Sequence, residues 1–356
     1  MTFPLYRLPY VALSNLISFM KPNEIFRLSL VSKKSYRVCK SMRKKPKKLR
    51  MLLGALATID VDWKKNADDD FMLFFVEVLS PKESNSSSKK LESLKINNTM
   101  VKLKMDDTSM FIYWPNDIFD GLKTLSEYAN RFYDQPFHSM CIGEGEGGTE
   151  WRRVLDWILS RQETLPQCSF GWRISVEEED LRYFFDAIGN RITNYLNLDL
   201  KLESENFRYN FSQSITTDCI EFESSPWLTI DNLLQLNCRC LFLQNTNLTS
   251  ENLNFFLRNW LNGRNSNLGF WFLRLKSFSI EVILNGLEVI VRDHPNGIKY
   301  HLYYKDTLEF GKSYELRRND GKIASIVIHS LENKELCMCV WPDFNGKPYP
   351  VQELEE

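Results

Sequence analysis

The sequence predicts an α/β protein in three parts: a three-helix N-terminal module, a solenoid of repeated strand-and-helix units, and a small antiparallel β meander at the C-terminal end. Three observations carry this. Apolar residues recur at helical spacing over residues 8–42 and are broken by Lys21-Pro22-Asn23. A short apolar strand, a polar turn and an amphipathic helix then recur between about 91 and 286. From 287 to 341 the alternation changes to a period of two, in IKYHLYY, KSYELRR and IASIVIHS.

In the N-terminal module, Leu8-Pro9 opens a segment in which Leu13, Ile17 and Met20 lie on one helical stripe and Ala12, Leu16 and Phe19 on its neighbour. Further helices are expected from about Glu24 to Leu30 and from about Ser32 to Met42. One stripe can serve the bundle's own core; the other needs a cover. A module of roughly 40 residues is also at the lower limit of independent folding, so this pattern points to docking. Leu8-Pro9, Leu13, Leu16, Ile25, Leu28 and the run Ser29-Leu30-Val31-Ser32-Lys33-Lys34 resemble the F-box motif, and the segment FPLYRLPYVALSNLISFMKPNEIFRLSLVSKKS resembles the F-box of a large nematode-expanded family. Ser35 stands where many F-boxes carry tryptophan or another large residue. The module is bounded at residues 3–42.

Residues 43–90 read as a linker with accessory helices. They begin with the basic run Arg43 to Arg50, either a nuclear-import signal or a solvated connector, and end in the serine-rich loop PKESNSSSKK. Across 91–286, Cys238, Leu241, Leu243 and Leu248 fit the leucine-rich-repeat spacing with Thr246 in the asparagine position. Leu268, Trp271, Leu273 and Phe278 repeat it with Lys276 there. Weaker copies sit at Leu91, Leu94, Ile96 and Val101, and around Ile220, Phe222 and Trp227. Helices are expected at about 150–161, 176–189, 229–236 and 250–262, with Ser175 and Glu178 forming a capping box. Such units cannot cover their own apolar faces, so a leucine-rich-repeat-like α/β solenoid is the expected solution. The stretch at about 217–287 also resembles the F-box-associated domain found behind nematode F-boxes. Asn319-Asp320-Gly321 marks a hairpin in the 287–341 meander, and 342–356 is a tail.

Lys plus Arg total 45 against 46 for Asp plus Glu, so no global field draws the chain to nucleic acid or an anionic membrane. Nucleic acid is not an expected partner. The eight scattered cysteines read as reduced thiols in a chain too large to need staples, the N-terminus lacks signal-peptide features, and no apolar run is long enough to span a membrane. A cytoplasmic or nuclear location is expected. Gly143 to Gly148 satisfies G-x-G-x-x-G, but Glu144, Glu146 and Glu150 would face a bound pyrophosphate with carboxylates. Cys238-Arg239-Cys240 and Cys337-Met338-Cys339 lack zinc-knuckle spacing. No cofactor or metal is expected, and no catalytic constellation appears.

The resemblance implies an F-box that binds the Skp-type adaptor, and through it a cullin, of an SCF-type ubiquitin ligase, while the repeat region presents a protein target. The chain itself would catalyse nothing. A leucine-rich scaffold without a ligase role is the alternative. Leu8, Pro9, Leu13, Ile17, Ile25, Leu28 and Val31 are expected to include the adaptor anchors. In the two clearest repeats the residues that alternate with the core leucines should face outward, which makes Phe242, Gln244, Phe270, Phe272 and Arg274 the expected target-binding set.

Overall fold

The structure, a computed structural model, describes residues 5–46, 48–54, 57–64, 71–80, 91–106, 108–144, 151–202, 207–304 and 306–350. The chain divides into two compact units, Met1–Leu165 and Pro166–Glu356.

The first unit opens with α1 (Tyr10–Phe19), α2 (Pro22–Val31) and α3 (Lys33–Met42). Pro22 starts α2, where its missing N–H costs no hydrogen bond. Ser32 ends α2 and caps α3, its hydroxyl accepting from the Ser35 backbone N–H at 3.0 Å. The chain then forms β1 (Lys48–Leu53), β2 (Ala57–Lys64), β3 (Phe71–Leu79), β4 (Glu92–Ile96), β5 (Thr99–Met105), β6 (Ser109–Tyr113), α4 (Ile118–Tyr133), β7 (Ser139–Ile142) and α5 (Trp151–Arg161). Its strands run in the order β7-β1-β2-β3-β6-β5-β4.

Two segments differ from expectation. Between 43 and 90 the described residues hold no accessory helix. They form the antiparallel strands β1, β2 and β3, because Leu49, Met51, Leu53, Ile59, Val61, Val76 and Val78 alternate into a buried face. The weak repeat copy at 91–101 is instead the hairpin β4–β5, with Leu94 opposite Val101. Asn97 and Asn98 turn it with φ of +42° and +68°, the left-handed pair that matches strand twist.

The second unit contains β8 (Leu165–Val176), α6 (Glu178–Ile188), β9 (Ile192–Leu202), β10 (Ile215–Thr216), β11 (Cys219–Phe222), α7 (Ile230–Gln235), β12 (Leu236–Asn237), β13 (Cys240–Leu243), α8 (Ser250–Leu261), β14 (Phe270–Arg274) and α9 (Ile280–Leu284). The meander strands β15 (Ile290–His301), β16 (Thr307–Arg317), β17 (Ile323–Ser330) and β18 (Glu335–Trp341) follow. The cap of α6 is Glu177 with Asp180, not Ser175 with Glu178; Ser175 lies inside β8.

Strands β9, β11, β13 and β14 are parallel and adjacent in chain order. One face of them, Leu196, Leu198, Ile220, Phe222, Leu241, Leu243, Trp271 and Leu273, is buried. Helix α6 packs there, with Phe185 and Phe222 ring centroids 6.3 Å apart. Thr246 is buried after β13; its hydroxyl donates to the Arg274 carbonyl at 2.8 Å and accepts from Leu248 N–H at 3.3 Å. The meander continues this sheet rather than closing it as a separate layer, because β18 pairs antiparallel with β14.

Candidate functional site

Two surfaces follow from this architecture, one in each unit. In the first, Leu13 and Ile17 point into the helical module, Ile17 being 0% exposed, while Leu16, Phe19, Tyr10 and Val11 point out, Phe19 being 88% exposed. Of the expected anchors, Val31 and Pro9 are exposed and Leu8, Ile25 and Leu28 are half-buried. Leu13 and Ile17 therefore cannot serve as surface anchors; they hold the bundle together. Leu16 and Phe19, outside the expected set, are the large apolar residues that α1 leaves exposed on its second apolar stripe.

The other helices already have a cover. Phe26 of α2 meets Tyr128 edge-on at 5.5 Å and stacks on Tyr133 at 6.0 Å, and Tyr36 of α3 meets Tyr128 at 5.5 Å. The Tyr128 hydroxyl donates to Ser29 Oγ at 2.7 Å, and burial raises its pKa well above the usual phenol range. Arg43, from the basic run, lies over Phe132 and pairs with Asp134 at 2.8 Å. Helix α4 is thus the platform for α2 and α3, whereas the Leu16–Phe19 stripe of α1 stays open to solvent.

In the second unit, the sheet face opposite α6 carries three rows set by strand register. Tyr195, Cys219, Cys240, Phe270 and Cys339 form one. Asn197, Glu221, Phe242, Phe272 and Cys337 form the next, and Gln244, Arg274 and Glu335 belong to the third. The three phenylalanines do share a face, with Phe242 5.5 Å from Phe270 and 6.5 Å from Phe272. They are not open to a target as expected. Phe270 is 2% exposed, in one cluster with Tyr300 of β15, Phe310 of β16 and Val327 of β17, and Phe242 and Phe272 are half-buried against it. The Tyr300 hydroxyl fixes that cover by sharing its one proton between the carbonyls of Gly269 at 2.7 Å and Val340 at 3.1 Å.

The polar members are paired as well. Arg274 donates through Nε to Glu335 at 3.0 Å, and Gln244 donates to Glu223 at 2.5 Å. The Tyr195 hydroxyl donates to Glu221. Burial, reinforced by hydrogen bonding and repulsion from Glu221, pushes the Glu223 carboxyl up to about 7. Applying the outward-facing rule to the Ile220–Phe222 copy would have found Glu221 and Glu223.

Residues 145–148 of the glycine-rich stretch, with Glu150, lie outside the described residues. The cysteines form no disulfide, and among the described residues no group of histidine, cysteine or carboxylate side chains could hold a metal ion. Among them, too, no helix is long and apolar enough to cross a membrane.

Residues 5–47 match the family described as F-box domain, and residues 206–270 match the one described as F-box associated. Over 91% of its length the chain is 24% identical to the Skn-1 dependent zygotic transcript 15 protein of Caenorhabditis elegans, covering 93% of that protein. It is 25% identical to the F-box associated domain-containing protein sdz-33 of the same nematode, over 36% of this chain and 40% of that protein. No solved structure matches.

Proposed function

We propose that this chain, which carries an F-box domain ahead of an F-box associated region, is the substrate-recognition adaptor of an SCF-type cullin-RING ubiquitin ligase. The F-box would bind a Skp-type adaptor, the second unit would hold a protein target, and ubiquitin transfer would be performed by other subunits. The gain is effective concentration: tethering makes the encounter with a charged ubiquitin carrier nearly intramolecular. The parallel run β9, β11, β13 and β14, with Thr246 bridging to the next strand, supports a leucine-rich-repeat-like reading of the target-binding unit. The setting this requires is cytosol or nucleus, where unpaired thiols persist.

The observation that carries the reading is the uncovered stripe of α1. A phenylalanine 88% exposed beside a half-exposed Leu16 gains nothing in the free chain, whereas burial in a partner groove would contribute roughly 1.5–3 kcal/mol for each side chain. The test is co-purification with a Skp-type adaptor. Leu16→Ser with Phe19→Ser should abolish binding and leave the melting temperature within a degree or so, since exposed substitutions cost within about 0.5 kcal/mol. Ile17→Ala should instead unfold the module, at about 2–5 kcal/mol. Full binding by the folded double variant would sink the assignment.

A further inference from the structure

Where the parallel strands of the second unit begin, a cleft of about 670 Å³ crosses the starts of β9, β11, β13 and β14. The parallel pair β10–β12 contributes Thr216 and Asn237 to its lining. Amide and hydroxyl side chains line it as a ladder: Asn267 Nδ2 donates to Asn237 Oδ1 at 2.9 Å, and Asn237 Nδ2 to Thr216 Oγ1 at 3.5 Å. Such side chains keep further donors and acceptors of the kind a peptide backbone needs.

Two cations face the same cleft, and among the described residues neither forms a salt bridge. The Arg239 guanidinium lies over the rings of Phe344 and Tyr303 at 5.3 and 5.8 Å, and Lys322 Nζ donates to the Ser266 carbonyl at 2.5 Å. Asp218, the one carboxylate among the described lining residues, is already engaged, accepting from the Tyr303 hydroxyl at 3.3 Å. An independent observation comes from Thr217, a lining residue that is 5% exposed and whose buried Oγ1 has no hydrogen-bond partner among the described residues. A buried hydroxyl left unpaired is costly, so a bound group that reached Thr217 Oγ1 from the cleft would relieve that cost.

We propose that this cleft takes an extended acidic segment of the target, with its carboxylates on Arg239 and Lys322, its backbone amides on the Asn237–Asn267 ladder and one polar group on Thr217. Four strand starts at roughly 4.8 Å spacing span about 14 Å, the length of four or five extended residues. The inference rests on the adaptor reading and names the chemistry of the target.

The experiment uses the full chain and three fluorescein-labelled six-residue peptides, alternating serine with glutamate, glutamine or lysine, followed by anisotropy. The glutamate peptide should bind saturably, more weakly as salt rises, and the other two should not. Arg239→Ala with Lys322→Ala should weaken binding at least roughly tenfold. Thr217→Val should also weaken it while leaving the melting temperature unchanged or higher, since it removes a hydroxyl that is unpaired in the free chain. Equal binding of the glutamine peptide, indifference to all three substitutions, or tighter binding of a short RNA would overturn the proposal. Co-purification of the same preparations with the Skp-type adaptor separates the two readings. Adaptor-competent protein that ignores the glutamate peptide refutes the cleft alone, and peptide binding without adaptor binding refutes the ligase role alone.

Discussion

Phe270→Ala tests whether the phenylalanine face of the second unit is core or interface. Its ring is 2% exposed, lies 6.1 Å from Tyr300 at 27° and 5.5 Å from Phe242, and sits beside Cys240 and Cys339 on the flanking strands. Truncating a core phenylalanine costs about 3–5 kcal/mol. Each ring pair contributes about 0.5–1.5 kcal/mol of that, which places Phe270 in the upper half of the range. Phe272, half-buried on the neighbouring row, should cost roughly half as much.

Urea unfolding of the full chain, read from the hydrogen exchange of residues 207–302 so that the second unit is followed by itself, measures the difference. With an m-value near 3 kcal/mol/M, about what a unit of this size should show, the Phe270→Ala midpoint should fall by roughly 1.3–1.7 M. The Phe272→Ala midpoint should fall by about half that. A Phe270→Ala midpoint that moves by less than about 0.3 M would refute the packing argument and restore Phe270 to the target surface.

Two further predictions concern stability. The folded-state pKa of Glu223, about 7, lies above the ordinary carboxyl value of 4.5, so the unfolded chain releases this proton first as pH rises. Its contribution is fully present below pH 4.5 and is lost as pH rises through 7. Glu223→Gln should therefore melt higher than the parent at pH 8 and lose that advantage at pH 5 in thermal scans; the same difference at both pH values would show that Glu223 does not carry the proton. Phe26→Ala should cost about 3–5 kcal/mol in the first unit and speed hydrogen exchange across residues 10–42, with residues 207–302 unaffected, whereas unchanged protection of α2 and α3 would show that α4 is not their platform.

Much of the local structure was legible because helical and strand periods are written over a few neighbouring residues. The breaks at Lys21-Pro22 and Ser32 place the three N-terminal helices. The strand-and-helix alternation places α6, α7 and α8, and the Ile323–Ser330 alternation marks a strand. The strands at 48–79 were harder to see. Ile59 and Val61 alternate there with Asp60 and Asp62, and the aspartates are themselves buried on the second face, so charged positions that sequence reading assigns to water are interior.

The sequence by itself determined that α1 has two apolar stripes and that every second residue of β13 and β14 leaves the leucine face. Only the tertiary structure decided which stripe is core and whether the outward residues meet water, since both depend on elements distant along the chain. Leu13 and Ile17 are interior in a module where α3 packs on α1, and α4, about a hundred residues away, covers Phe26. Phe270 is interior because Tyr300 and Phe310, 30 and 40 positions later, fold across its row. Periodicity says that a residue has a side to face; burial depends on what arrives there, and that is a property of packing between elements.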